Sequence, residues 1–144
     1  MVNKITINIG DVVCAKYYKF TGEVDEGLFL VYSLDSYWVK GFSGFSAIKL
    51  CTEPEIYQVK LSKDQFAYLD HDSYINCNCL QRLSIDQVKY RLGVVDAKVL
   101  YCVGKQLDNL NKDVQKQLKT TMFYYNSIAR QMQNSNSYSD FNNK

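Results

Sequence analysis

"SYINCNCLQRLSIDQVKYRLGVVDAKVL", residues 73–100, contains the change of period that decides the fold. Its first part alternates. Strand geometry puts Ile75, Cys77 and Cys79 on one face and Tyr74, Asn76 and Asn78 on the other. Apolar atoms on one side and amides on the other are the pattern of a half-buried strand. Ser84 then has the chemistry of an N-cap, with Gln87 three residues on to complete a capping box. Val88 and Leu92 follow at helical spacing and Gly93 is placed as a stop, which predicts a short helix. From Asp96 the period becomes 3.6: Val99, Val103, Leu107 and Leu110 line one stripe. Val114, Leu118, Met122, Tyr125, Ile128 or Ala129, and Met132 continue it. Asp108, Asn109 and Asn111 sit where this stripe either breaks into two helices or runs through.

Working back towards the N-terminus, the segments are short and strand-like. "KITINI" (4–9) alternates and predicts a strand or an extended lead-in. "VVCAKYYKF" (12–20) reads as a long strand and "TGEVDEG" (21–27) as a polar loop. "LFLVYS" (28–33) suits a buried central strand, "FSAIKLC" (45–51) the next, and "IYQVKL" (56–61) alternates again. "SKDQFAYLDH" (62–71) fits a short helix or an excursion between strands. Successive strands on hairpin-length loops predict an antiparallel sheet rolled into a small barrel, mainly β, with C-terminal α-helices packed on it. Residues 1–133 form one such domain in this reading, and the polar stretch 134–144 is a disordered tail.

Composition sets limits on function. The chain has 144 residues, 47% apolar and 22% charged, the size and balance of one ordinary globular domain. No apolar run reaches the length of a membrane span, and "MVNKITINIGD" has no apolar core of a signal peptide. The expected location is cytoplasmic. A net charge of +2 is too small to imply nucleic-acid binding by itself. Five cysteines without a secretory signal are expected as reduced thiols.

The candidate chemistry is sparse. Cys77, Cys79 and His71 could offer three metal ligands, but Cys14, Cys51 and Cys102 supply no second close pair, so no metal or other cofactor is expected. A Cys77–Cys79 disulfide is disfavoured, since same-face neighbours on a strand lie roughly 6.5–7 Å apart at Cα. His71, between Asp70 and Asp72, has no nucleophile partner in reach of a motif. Glu23, Asp25 and Glu26 read as a solvated loop without calcium-loop spacing. The stretch 34–44 is a loop with Gly41 and Gly44 and carries Tyr37, Trp38, Lys40 and Phe42. Such aromatics stack on bases, anchor a protein partner, or fold back on the core. A helix that outruns the barrel would leave apolar stripe for a dimer or a partner segment.

The order of segments resembles the PemK/MazF (Kid) family of endoribonuclease toxins from type II toxin–antitoxin systems. "GDVVCAKYY" (10–18), "GEVDEGLFLVYS" (22–33), "SAIKLCTE" (46–53) and the stretch 72–107 carry the likeness. It implies an SH3-like barrel, usually a homodimer, that cleaves single-stranded RNA without a metal and is bound by a cognate antitoxin. The family uses an Arg of an Arg-Pro pair after the first hairpin loop and a Thr or Ser at the end of a later strand. The matching Thr is Thr52, whereas Glu26-Gly27 stands in place of Arg-Pro. The resemblance therefore implies Thr52 as the positioning hydroxyl, and Lys19 as a cation replacing the missing Arg, with Lys16 and Lys49 as further cations on neighbouring strands. A Lys is a point charge without the guanidinium fork, so the exchange is not neutral. Two function classes follow: an endoribonuclease toxin, or a non-catalytic relative that keeps the barrel as a binding module for a regulatory protein or nucleic acid.

Overall fold

The computed structural model describes residues 6–34 and 44–139, the last six of them (134–139) by backbone alone. Six strands form one sheet: β1 (Asp11–Tyr18), β2 (Val24–Leu34), β3 (Gly44–Cys51), β4 (Gln58–Leu61), β5 (Ser73–Ser84) and β6 (Val88–Val94). Their order is β4-β5-β3-β2-β1-β6, and all neighbours are antiparallel. One helix follows, α1 (Ala97–Ser139). The mainly-β class with C-terminal helical structure stands, with a single helix in place of several. Asp108, Asn109 and Asn111 do not break it, because their propensity costs of well under ~1 kcal/mol each are small beside the helix already propagating from Asp96. The Asp96 carboxylate caps it, accepting from the Val99 N–H at 2.9 Å.

The chain divides into two compact units, Met1–Asp108 and Asn109–Lys144. In the first, alternation gives the sheet two apolar faces. Val13, Ala15, Tyr17, Phe29, Val31, Phe45, Ala47, Leu83 and Val88 pack together on one. They come from five strands of the same sheet, so this face is closed largely by the sheet curling on itself, as a small barrel requires. The other face buries Val12, Leu30, Ile48, Leu50, Ile75 and Cys77 against Val103 and Leu69, with Val99, Leu100 and Leu107 at the margin. The start of α1 therefore covers this second face. Among the described residues no helix is long and apolar enough to cross a membrane.

Two local readings are corrected and one is narrowed. Of the strand or extended lead-in expected over 4–9, the described residues 6–8 form no strand and lead into a turn: the Asn8 N–H donates to Asp11 Oδ2 at 2.7 Å and the Asp11 N–H to the Asn8 carbonyl at 3.1 Å. The second hairpin strand begins at Val24, inside the stretch expected as loop, because Tyr18 pairs with Val24 and Tyr17 with Asp25. The Ser84–Gln87 capping box is present, with the Ser84 N–H donating to Gln87 Oε1 at 2.8 Å, but it opens one 3-10 turn (Ile85–Gln87) and not a helix. Residues 88–94 are strand β6, which satisfies the open edge of β1. Gly93 does not cap a helix; an added Cβ there would lie 2.4 Å from Cδ1 of Tyr68, so the glycine admits that ring. Helical backbone is described through 134–139.

Next to β6, Asp11 is 1% exposed, and Arg91 Nε lies 3.0 Å from its Oδ1, an ion-pair distance without hydrogen-bond alignment.

Candidate functional site

The curled face runs out of apolar residues at one end of the sheet. Along β1 the series Val13, Ala15 ends in Tyr17; along β3 the series Phe45, Ala47 ends in Lys49. Because β2 runs antiparallel between them, its start, Asp25 and Gly27, lies at the same end. Three strands thus bring a phenol, an ammonium and a carboxylate together.

The geometry is a chain of polar contacts. Lys49 Nζ donates to the Tyr17 hydroxyl at 2.6 Å and stands 4.4 Å from the centre of its ring. The Tyr17 hydroxyl donates to Asp25 Oδ2 at 3.2 Å, and Lys19 Nζ is 3.3 Å from the same oxygen. Tyr17 is fixed from below by an edge-to-face contact with Phe29, ring centres 5.5 Å apart. Gly27 leaves the space: a Cβ there would meet Tyr17 Cε1 at 3.3 Å and Lys49 Cε at 3.5 Å. Burial works against the charge on Lys49, yet the Tyr17 hydroxyl and the neighbouring Tyr17, Cys51 and Cys79 groups hold its pKa above the ordinary lysine value. Asp25 is held below the usual carboxylate value, first by the Glu26 N–H and then by Lys19. Both are charged at neutral pH.

A thiol pair borders this cluster. Two steps along β3, from Ile48 to Leu50, take up five along β5, from Leu80 to Ile75, so β5 bulges there. The bulge breaks the simple alternation. Ile75 and Cys77 enter the core as expected, and burial pushes the Cys77 thiol up to about 11. Cys79 does not join them. The buried Asn76 amide donates to Cys79 Sγ at 3.4 Å and to Cys51 Sγ at 3.9 Å, so these thiols share the other side. Cys77, Cys79 and His71 therefore do not assemble into one ligand set, and among the described residues no group of three His, Cys, Asp or Glu could hold a metal.

The expected site residues are distributed as follows. Thr52 follows the last residue of β3 and is exposed. Lys49 is half-buried on β3, and Lys19 sits in the β1–β2 turn, its N–H donating to the Glu23 carbonyl at 2.7 Å. Lys16 points to the opposite face from Tyr17, is paired with Glu26, and lines an open pocket of about 300 Å³ with Tyr17, Tyr18, Val24, Asp86 and Gln87. Glu26 accepts from Lys89 Nζ at 2.6 Å on that opposite face. Glu26 is thus paired with Lys89 on the face opposite Tyr17. Tyr37, Trp38, Lys40 and Phe42 lie outside the described residues. Tyr17 and Gly27 were not singled out by sequence, and Asp25 only as part of an acidic loop. The signal available was the shared polar end of two alternating series, Val13-Ala15-Tyr17 and Phe45-Ala47-Lys49.

No family model matches the chain, and no curated protein matches it. Among solved structures, the Mycobacterium tuberculosis toxin MazF-mt6 is similar, with a TM-score of 0.51 and 13% sequence identity. The fold is MazF-like. The likeness covers 93% of that chain and 69% of this one, leaving about a third of this chain without a counterpart there. At such low identity it speaks for the fold, and function has to be argued from the site.

Proposed function

We propose that the chain is a toxin-type endoribonuclease that cuts single-stranded RNA without a metal, with Lys49 as the cation in place of the family arginine. The observation that carries this reading is the Lys49–Tyr17 contact of 2.6 Å at the polar end of the curled face, close in sequence to Thr52. Cleavage through the ribose needs a group to take the 2′-hydroxyl proton and a positive charge beside the phosphate as it becomes five-coordinate. Asp25, ionised at neutral pH, takes that proton. The 2′-oxygen forms its bond to phosphorus, the bond to the 5′-oxygen breaks, and the departing oxygen draws a proton from solvent. The products are a 2′,3′-cyclic phosphate and a 5′-hydroxyl. Lys49 faces the non-bridging oxygens, Thr52 positions the phosphate, and Lys19 adds charge while holding Asp25. Lys16, which lines a pocket with Tyr17 and Tyr18, binds a neighbouring nucleotide in this reading. The protein acts in the cytoplasm and is held in check by a cognate antitoxin.

The test is incubation with a long single-stranded RNA in EDTA, alongside Lys49→Met, Thr52→Ala and Lys19→Ala. Cuts at a repeated short sequence are expected, reduced about 100-fold or more in Lys49→Met, the scale of losing one transition-state charge contact. Growth arrest on expression, relieved by the same substitution, is the cellular counterpart. RNA left intact at high protein excess overturns the nuclease reading and leaves the barrel as a binding module.

A further inference from the structure

Cys51 and Cys79 are 28 residues apart in sequence and meet at one amide. The alternation of β3 carries Phe45, Ala47 and Lys49 to Cys51 on a single side. Ile48 pairs with Leu80, so Cys79, one residue earlier on the antiparallel strand, lies beside Lys49. The bulge then brings Asn76 against both thiols. Its Nδ2 donates to Cys79 Sγ at 3.4 Å and to Cys51 Sγ at 3.9 Å, while its Oδ1 accepts from the Asn78 N–H at 3.1 Å. Asn76 is 6% exposed, so this amide is a fixed bridge and not a surface contact. Both thiols are free and half-buried, within reach of a small solute. Cys14 and Cys77 are buried, and Cys102 stands on α1.

We propose that Cys51 and Cys79 form an oxidation site, in which a hydroperoxide converts the two thiols into a disulfide between β3 and β5. One thiolate attacks the peroxide O–O bond and becomes a sulfenic acid; the second sulfur then attacks the first, and the sulfenic oxygen leaves as water. Two thiols and one hydroperoxide thus give one disulfide, one water and one alcohol (a second water from hydrogen peroxide). The sulfurs give up two electrons and the O–O bond takes them. The surroundings suit this order. Burial raises the Cys79 pKa and Cys51 adds to it, while Lys49 draws it down. A charge on one thiol therefore disfavours a second beside it, so one sulfur attacks while the other stays protonated until the sulfenic acid has formed. The Asn76 amide, a donor to both, favours the ionised form of whichever attacks. Rotation about Cα–Cβ turns each sulfur from the amide towards the other, and the bulge, already outside the regular ladder, takes up the remaining adjustment. The disulfide ties the end of β3, between Lys49 and Thr52, to β5. This inference is independent of the nuclease reading.

The test is treatment of the native full chain with hydrogen peroxide in slight excess over protein, then blocking of free thiols and peptide mapping without reductant. Trypsin cuts after Lys60 and Lys63 and so separates the two cysteines. The expected result is a loss of two hydrogen masses per chain, with the Cys51 peptide joined to the Cys79 peptide and full reversal by dithiothreitol. Cys51→Ser and Cys79→Ser are each expected to abolish this crosslink, and Cys77→Ala and Cys102→Ser to retain it. Circular dichroism checks that each variant folds; for one that does not, the wild-type map still decides, because fragmentation places the bond at Cys77 or at Cys79. A wild type whose thiols stay free, or that goes on to sulfinic acid without the crosslink, overturns the proposal. So does a disulfide between two chains, a bond from either cysteine to a third, or a crosslink to Cys51 that survives Cys79→Ser.

Discussion

Lys49 and Tyr17 are 32 residues apart in sequence and 2.6 Å apart in space, with the ammonium against both the hydroxyl and the ring of the tyrosine. Neither strand pairs with the other; β2 lies between them, and the two side chains meet over Gly27. The contact joins a cation kept charged to a phenol anchored in the core.

Tyr17→Phe removes the hydroxyl and keeps the ring on Phe29. Burial then acts on Lys49 with less to oppose it, so the Lys49 pKa is expected to fall, read by an NMR titration of its ε-methylene. A raised lysine pKa stabilises the fold fully below the ordinary value of 10.5 and loses that contribution as pH rises through the folded value. The variant should therefore lose stability, about 1 kcal/mol at neutral pH by urea unfolding, with the gap to wild type closing in strong alkali. An unchanged Lys49 titration would show that the hydroxyl is not what holds the charge.

Gly93→Ala places a methyl group into the Tyr68 ring, whose hydroxyl is itself tied to the Val94 carbonyl at 2.9 Å. The expected cost is about 1–3 kcal/mol of stability, as for other overpacked sites. In a Tyr68→Ala background the same substitution should cost far less. A helix-stop glycine would show no such coupling, so a double-mutant cycle from urea midpoints separates the two roles.

That glycine also shows where the sequence could be read and where it could not. Val88 and Leu92 are four apart, a spacing that a helix and a strand both satisfy; only the edge of β1, a long-range partner, selects the strand. The capping box was legible because its atoms are local, and the stripe of α1 because it repeats over many turns. Cys79 was misplaced because a bulge, set by pairing with β3, has no signature in "NCNC". The site was legible in part. Lys49, Thr52 and Lys19 came from the resemblance, whereas Tyr17, Gly27 and Asp25 join the two lysines only through registers that bring three strand ends together.

Thiol reactivity should follow this division of the cysteines. Cys77 is 1% exposed with its pKa at about 11, so at pH 8 only about one thiol in a thousand is ionised and none is accessible without opening. Cys51 and Cys79 are half-buried at the surface. Peptide mass mapping during alkylation under native conditions should find Cys77 the slowest of the three, reacting at the rate of unfolding. Cys77 labelled as fast as Cys51 would place it outside the core.

The acid limb of stability should rest on two carboxylates. Asp25 is held low by the Glu26 N–H and Lys19, and Asp72 by the Lys63 N–H and Lys60, whose Nζ is 3.5 Å away. Both folded values lie below the ordinary 3.8, so their stabilising effect is complete above that value and is lost as pH falls through the lowered ones. Each group is exposed and solvent screens its partners, so the separate effects are small and are read best as a slope. Asp25→Asn and Asp72→Asn together are expected to flatten the dependence of the urea midpoint on pH below about 4, while the neutral-pH midpoint drops slightly. If Asp25→Asn flattens the limb while Asp72→Asn does not, the ion pair beside Tyr17 carries it. A double variant with the wild-type slope would assign acid sensitivity to other groups.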